Sequence, residues 1–342
     1  MTTVALDGRG ADRGPEAIVG GARAAAANGI RLRVFGEVDA LAELGPIDGV
    51  ELISAPEEIT NEDEPVAAVR SRPEASVVLA AQDVAAGRSQ ALASAGSTGA
   101  TMTAALFALR RIQGVRRPAL ALQLPIPGRP DRPTLLLDVG ANDEARAVDL
   151  VQFAYLGATF SEAVLGVGEP RIALLSVGEE PTKGTKQVTE AHERLAASGL
   201  NFVGNLEGGD VLGDAADVIV TDGFTGNVVL KTIEGTAKAV AEAMRAAARS
   251  SPLATAGGLL LRPALAGLRR RLDPDATGGA ILLGLRGVAV VGHGSSGPDG
   301  VANAVRLAAR AVDERAIERT GELLARSGAG RGALREPDRK PS

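Results

Sequence analysis

The chain has 342 residues, enough for one large α/β domain or two lobes on a shared sheet, and its 45% apolar and 23% charged residues are the balance of a globular protein. With no Trp, one Tyr, six Phe and a formal charge of −5, it offers neither aromatic platforms for stacked bases nor a global basic field, so nucleic acid is not an expected partner. The lack of cysteine excludes disulfides, thiolate metal sites and an acyl-cysteine intermediate, and it agrees with a cytoplasmic setting.

The start, Met1-Thr2-Thr3-Val4-Ala5-Leu6-Asp7, has no basic segment followed by an apolar one, so no signal peptide is expected. Short aliphatic runs then alternate with Ala-rich helical stretches, the pattern of βα units building a mostly parallel sheet buried on both faces. A strand is expected at Val4 to Asp7, followed by a helix at Glu16 to Ala27 and a second strand at Leu32 to Phe35. Glu62, Asp63 and Glu64 read as a solvated helix start. A strand at Ala91 to Ser94 leads into a helix at Thr98 to Arg110. Strands at Leu120 to Leu122 and Leu135 to Val139 are separated only by the Pro-rich segment from Pro125 to Pro133, which predicts a hairpin and an antiparallel pair. A helix at Leu150 to Leu165, a strand at Ile172 to Val177 and a helix at Lys186 to Ala197 come next. A strand at Val218 to Thr221 and a helix at Asn227 to Ala248 follow, and a strand at Val288 to Val291 and a helix at Ala302 to Leu324 close the pattern. These elements make one α/β domain over residues 1–326 with a helical hairpin at about 250–274, and a Gly-, Arg- and Pro-rich tail, 327–342, expected to be disordered.

In open α/β sheets ligands bind beyond the carboxyl ends of the strands. Five loops there carry the informative residues: Ser94 to Gly99, Asp138 to Asn142, Gly178 to Gly184, Asp222 to Asn227, and His293 to Ser296. Gly96-Ser97-Thr98-Gly99 and Gly223-Phe224-Thr225-Gly226 share the pattern Gly-x-Thr-Gly before a helix. Glycine lets backbone amides approach an anion, and a helix N-terminus favours negative charge, so a phosphate is the natural guest. The bland reading of any single loop is a strand-to-helix turn with a Ser or Thr cap. The expectation is that all five converge on one sheet edge.

The turn Gly8-Arg9-Gly10-Ala11-Asp12-Arg13-Gly14, with Glu37 after the second strand, is only a loose dinucleotide fingerprint. Asp7 and Asp12 face the site or cap the next helix. Of the two histidines, His192 lies in a polar helical stretch and is expected in solvent, whereas His293 is placed to touch substrate. No metal cluster is visible and no cofactor is expected. The segment from Leu253 to Leu272 carries Leu259, Leu260 and Leu261 beside Arg262, Arg269, Arg270 and Arg271, with an expected break at Pro263. That pattern suits an interfacial helix on anionic lipid or a contact for an acidic protein, and equally a hairpin in a dimer interface.

Taken in order, these motifs resemble the PlsX family, the acyl-ACP:phosphate acyltransferases. The resemblance runs from about Val4 to Leu324. It is carried by Ser94 to Ala100, Arg117-Pro118-Ala119-Leu120, Leu136 to Asn142, Gly178-Glu179-Glu180 with Lys183-Gly184, Thr221 to Val228 with Leu230-Lys231-Thr232, and His293 to Ser296. The chain departs from the family pattern at Arg9-Gly10-Ala11, at Ser97, where the family usually has Asn, and at Asp143-Glu144.

The resemblance implies a three-layer α/β/α fold with a mostly parallel sheet, like that of isocitrate and isopropylmalate dehydrogenases and of phosphotransacetylases. It implies a homodimer without a cofactor that moves a fatty acyl group from the acyl carrier protein to inorganic phosphate, for phospholipid synthesis. It makes Lys183 and Asn227 the catalytic pair, and Asp222 is expected to orient Lys183 or Asn227. Asp7, Asp12, Gly96, Ser97, Thr98, Gly99, Asn142, Gly223, Thr225, Gly226 and His293 are the expected phosphate and substrate contacts. Leu259 to Arg262 and Arg269 to Arg271 are the expected contact for the membrane's inner face or for the carrier. The rival reading is a coenzyme-A-dependent phosphotransacetylase.

Overall fold

The computed structural model describes residues 1–271 and 277–327, with the backbone alone at 130–131 and 262–271. Residues 272–276, which include the end of the hairpin expected at about 250–274, and 328–342 of the expected disordered tail lie outside the described residues, as do the side chains of Arg262, Arg269, Arg270 and Arg271.

The strands are β1 (Thr3–Asp7), β2 (Arg31–Gly36), β3 (Val50–Ser54), β4 (Ala91–Ser94), β5 (Ala119–Ile126), β6 (Arg129–Leu137), β7 (Ile172–Ser176), β8 (Phe202–Glu207), β9 (Val218–Val220), β10 (Ala280–Leu283) and β11 (Val288–Val291). They form one 11-stranded sheet in the order β3-β2-β1-β4-β11-β10-β5-β6-β9-β7-β8. The helices are α1 (Pro15–Ala26), α2 (Pro65–Ser71), α3 (Ser76–Ala85), α4 (Thr98–Leu109), α5 (Ala147–Ala163), α6 (Lys186–Ala196), α7 (Gly223–Ala248), α8 (Pro252–Arg271), α9 (Pro298–Asp313) and α10 (Ala316–Arg326).

Period-two alternation sends successive side chains to opposite faces of the sheet. Val4 and Leu6 therefore enter one core, shared with α1, α5, α6, α9 and α10. Ala5 between them enters the other, shared with α2, α3 and α4. This is the three-layer α/β/α arrangement expected from the sequence. Glu64 caps α2, accepting from the amides of Val66 and Ala67 at 3.1 and 2.6 Å, so the acidic run before Pro65 is indeed a helix start.

The two hairpins decide the direction of the sheet. The Pro127-Gly128 turn forces β6 antiparallel to β5, and β10 inserts antiparallel to both β11 and β5. β1 to β4, β11 and β5 therefore run one way, while β10, β6, β9, β7 and β8 run the other.

Several boundaries differ from expectation. Strands β3, β8 and β10 and helix α3 are additional. The single helix expected at Ala302 to Leu324 is two, because Arg315 takes a left-handed φ of 54° between α9 and α10. The hairpin is built from α7 and α8 with its turn at residues 249–251, and α8 runs on through Pro263. The helix there stands in solvent, with Leu259 and Leu260 at 62% and 84% exposure, so water can take the Leu259 carbonyl that Pro263 leaves without an amide.

Candidate functional site

At the carboxyl ends of β1, β4 and β11 three loops meet around the start of α4. Asp7 is buried at the end of β1, where it accepts hydrogen bonds from Ser76 Oγ at 2.6 Å and Ser94 Oγ at 2.7 Å. Burial pushes its carboxyl up to about 6, against the lowering effect of those hydroxyls. The Gly96 amide donates to Ser94 Oγ at 3.0 Å, and a β-carbon on Gly96 would lie 3.2 Å from Asp7 Oδ2. Gly10, at φ +79°, presses on the same turn, where a β-carbon would meet Gly96 Cα at 3.0 Å. Ser97 is the α4 cap, accepting from the Ala100 amide at 3.5 Å, and Thr98 stands exposed at the first helical position beside half-buried Gly99. The Asp12 amide donates to the Gly294 carbonyl at 2.9 Å, which ties the first turn to the His293 loop. His293 is exposed, with Nδ1 2.8 Å from Ser295 Oγ.

A second cluster lies beyond the carboxyl ends of β6, β9 and β7. Asp138 is its organiser. Its Oδ1 accepts from the amides of Leu120, Gly140 and Ala141 at 3.0, 3.2 and 2.9 Å, and its Oδ2 accepts from the Asn142 amide and Nδ2, both at 2.8 Å. Burial raises its pKa, opposed by those five donors. Asn142 is itself buried. Its Nδ2 also reaches the Pro118 carbonyl at 2.7 Å, its Oδ1 accepts from Arg117 at 3.4 Å, and its carbonyl accepts from the Gly223 amide at 2.7 Å.

Here α7 begins four residues earlier than expected, so the Asp-Gly-Phe-Thr-Gly-Asn block is a cap and first helical turn. Asp222 Oδ1 accepts from the Thr225 amide at 2.8 Å and Oδ2 from the Thr225 hydroxyl at 2.9 Å. This carboxylate therefore caps α7. Gly223 and Gly226 are buried because the helix start packs on the Asp138 loop, which gives both a packing reason for lacking a side chain.

Asn227 is exposed in the first turn of α7, with its Cγ 3.8 Å from where a β-carbon on Gly140 would stand. Lys183 is exposed in the loop after β7. Ser176 Oγ donates to its carbonyl at 3.1 Å, and its amide donates to the Glu180 carbonyl at 3.0 Å. Gly178 makes room for its stem, since a β-carbon there would lie 2.8 Å from Lys183 Cγ. Lys183 follows β7 and Asn227 follows β9, and these two strands are direct parallel neighbours, so both residues belong to one edge of the sheet. On the same two segments, Val177 just after β7 and Phe224 at the start of α7 are apolar side chains with 81% and 65% exposure.

The five loops thus do not converge on one edge. Asp7, Asp12, Gly96 to Gly99 and His293 share one edge; Asn142, Lys183 and Asp222 to Asn227 share the opposite one. The antiparallel insertion of β10 and β5 reverses the strands between them. Four strand spacings part β4 from β6, roughly 19 Å at about 4.8 Å each. Within one chain, the Gly96 to Gly99 turn and Lys183 do not meet the same phosphate.

Three contributors were not singled out as site residues. Asp138 could have been found from the Asp-x-Gly-x-Asn pattern, in which a carboxylate collects the amides that follow it. Ser76 and Ser94 carry no such signal, since only the tertiary fold brings α3 and β4 to Asp7. His192, expected in solvent, is half-buried, with Nδ1 2.9 Å from Asn205 Oδ1 and its ring edge-on to Phe202.

A family model described as "Fatty acid synthesis protein" matches residues 2–319. The chain belongs to this family, the PlsX family. A curated phosphate acyltransferase of Heliobacterium modesticaldum is 43% identical over 321 residues, 92% of this chain and 95% of that protein. One of Thermobifida fusca is 44% identical over 317 residues, covering 89% of this chain and 86% of its own. Among solved structures, a phosphotransacetylase from Streptococcus pyogenes superposes with a TM-score of 0.59 at 17% identity, covering 91% of this chain and 94% of its own. The EutD phosphotransacetylase from Staphylococcus aureus gives 0.56 at 17% identity, covering 90% of this chain and 94% of that one. The PlsX member thus has a phosphotransacetylase-like fold.

Proposed function

We propose that this PlsX member transfers a long-chain acyl group from the acyl carrier protein to inorganic phosphate, releasing acyl phosphate and free carrier to feed glycerol-3-phosphate acylation. The observation that supports the reading is that Lys183 and Asn227, both open to solvent, lie in the segments following the neighbouring strands β7 and β9, which also carry the exposed apolar side chains of Val177 and Phe224.

Phosphate is largely dianionic near neutral pH and needs no strong base. One of its oxygens attacks the thioester carbonyl carbon, and Asn227 donates to the oxyanion that develops. The carbon–sulfur bond then breaks, its electron pair goes to sulfur, and the Lys183 ammonium protonates the departing thiolate. Lys183 also offsets the repulsion between phosphate and oxyanion, and it regains its proton from solvent. Val177 and Phe224 receive the first methylenes of the acyl chain.

A homodimer belongs to the same reading. Of the 26 residues of α7 only Gly223 and Gly226 are buried, while Phe224, Val228, Val240 and Met244 stand open. A helix with so much uncovered apolar surface implies a partner. A second copy that lays its Gly96 to Gly99 edge against the Lys183 edge completes the phosphate site. No helix among the described residues is long and apolar enough to cross a membrane. The exposed Leu259, Leu260 and Leu261 of α8 are instead read as a peripheral membrane contact.

Phosphate-dependent release of free carrier from palmitoyl-ACP tests the function. Turnover with acetyl-coenzyme A and none with palmitoyl-ACP would move the chain to the phosphotransacetylase reading.

A further inference from the structure

One stretch of sequence touches the site described above only through Arg117, at its end. Residues 110–117 read Arg110-Arg111-Ile112-Gln113-Gly114-Val115-Arg116-Arg117, four arginines without an acid in a chain of net charge −5. Another arginine cluster is neutralised: Arg129, Arg132 and Arg171 share Asp217. Here only Arg116 has a carboxylate, Asp149, at 3.0 Å. Arg110, Arg111 and Arg117 are exposed, and among the described residues none of them pairs with an acid.

The fold adds a fourth free arginine. Exposed Arg286 donates its amide to the Arg110 carbonyl at 2.9 Å and its Nε to the Arg111 carbonyl at 3.1 Å. Arg111 in turn donates to the Arg116 carbonyl, next to Arg117, which reaches Asn142. The line of arginines therefore ends in the loop against which the α7 start, and with it Asn227, is packed. It lies on the Lys183 edge, because β5 and β11 begin where β6 and β9 end.

Beside Arg286 is a hollow of about 410 Å³ between α3, α4, α9 and α10, lined by Ala108, Leu109, Val288, Ala311 and Val312 among others, with Glu318 its one acid. A concave hollow of mixed polar and apolar lining, with Ser89, Gln90 and Arg286 beside its aliphatic side chains and the other free arginines along one side, fits a folded protein that is acidic and presents both polar and apolar side chains at the contact. It does not fit a flat lipid surface.

We infer that Arg110, Arg111, Arg117 and Arg286, with the adjoining hollow, form the docking surface for the acidic carrier that delivers the acyl thioester. The inference rests on the acyltransferase reading and gives it a partner footprint away from α8. Docked there, the carrier stands beside Asn142 and extends its acyl-bearing arm along the edge to Asn227 and Lys183. Long-range attraction from four unpaired cations speeds encounter and is weakened by salt.

The test compares wild type with the double variant Arg110→Glu and Arg286→Glu, and with the milder Arg110→Gln and Arg286→Gln in case charge reversal impairs folding. Palmitoyl-ACP and the neutral small thioester palmitoyl-pantetheine serve as acyl donors. The expected result is a KM for palmitoyl-ACP raised roughly tenfold in the reversed variant and less in the neutral one, with kcat nearly unchanged and the salt dependence flattened. Rates with palmitoyl-pantetheine should not move. An unchanged KM for palmitoyl-ACP overturns the inference, and so does an equal loss with both donors. Loss of binding to anionic vesicles with carrier kinetics intact would assign the patch to the membrane and overturn it too. Wild type that turns over neither donor refutes the acyltransferase reading itself, a failure seen before any variant is made.

Discussion

A β-carbon on Gly226 would lie 1.8 Å from the carbonyl oxygen of Asp138. The first turn of α7 therefore rests directly on the loop that follows β6, with no layer of side chains between them. That contact aligns Asn227 with the Asp138 to Asn142 loop. It also explains why a glycine stands inside a helix, where it otherwise costs stability.

Gly226→Ala should accordingly displace α7 or unfold it locally. A cost of about 1 to 3 kcal/mol or more is expected from overpacking, read as a fall in the urea midpoint and a large loss of turnover. Gly235, on the same helix with nothing within 4 Å of a β-carbon, is the control. Gly235→Ala should be neutral or stabilise by about 0.5 to 1 kcal/mol. Equal behaviour of the two variants would show that the close approach does not constrain the helix.

Lys183 is exposed and its side chain supports no other element, so Lys183→Met should change stability by less than about 0.5 kcal/mol. Turnover of palmitoyl-ACP should fall by a factor on the order of 10² to 10³. Near-normal rates would remove Lys183 from the chemistry.

If the two edges meet across a dimer, Lys183→Met and Asp12→Ala chains, each with impaired sites alone, should complement on mixing. Random exchange places one intact site in half of the dimers, restoring roughly a quarter of wild-type activity. No recovery after verified subunit exchange would argue that each chain works alone.

The Asp7 carboxyl, held at about 6 rather than 3.8 by burial, makes stability depend on pH in a specific direction. The folded state holds the proton more tightly than the unfolded one, so stability from this group is present below pH 4 and is lost as pH rises to 6. The difference is about 3 kcal/mol at about 1.4 kcal/mol per unit. Urea midpoints of wild type minus those of Asp7→Asn should fall across that window and level off above it. A flat difference would mean that Asp7 titrates normally.

Asp217 behaves in the opposite sense. Arg171 donates to it from its amide, Nε and Nη2, Arg129 adds a bond at 3.1 Å, and the carboxyl is held at about 2. Its stabilisation is therefore present above pH 4 and lost as pH falls through 2. Asp217→Asn should cost about 2 kcal/mol, because Arg171 and Arg129 keep Asp214 as a counter-charge but lose the buried carboxylate they share. A change below 1 kcal/mol in the thermal transition would show that water replaces the carboxylate.

Much of the fold was legible because burial on both faces leaves an aliphatic imprint. Runs such as Leu135-Leu136-Leu137 and Val288-Ala289-Val290-Val291 read as strands without help from the rest of the chain. The edge strands β3 and β8 were not legible, because a strand covered on one side only keeps the polar residues of Val50–Ser54 and Phe202–Glu207. β10 is as short as β11, but its Ala280-Ile281-Leu282-Leu283 has one β-branched residue where β11 has three valines, so nothing local separates strand from helix.

The candidate site divides in the same way. Local chemistry determined that Ser97 and Glu64 cap helices and that glycines crowd the strand ends, because a cap or a turn involves only residues near in sequence; Asp222, expected to orient the catalytic pair, proved to be the cap of α7. Which strand ends face each other was decided by tertiary structure alone. Two hairpins reverse half of the sheet, and hydrogen bonds between strands far apart in sequence set those directions. Lys183 and Asn227 consequently belong to one edge, while Gly96 to Gly99 lie on the other.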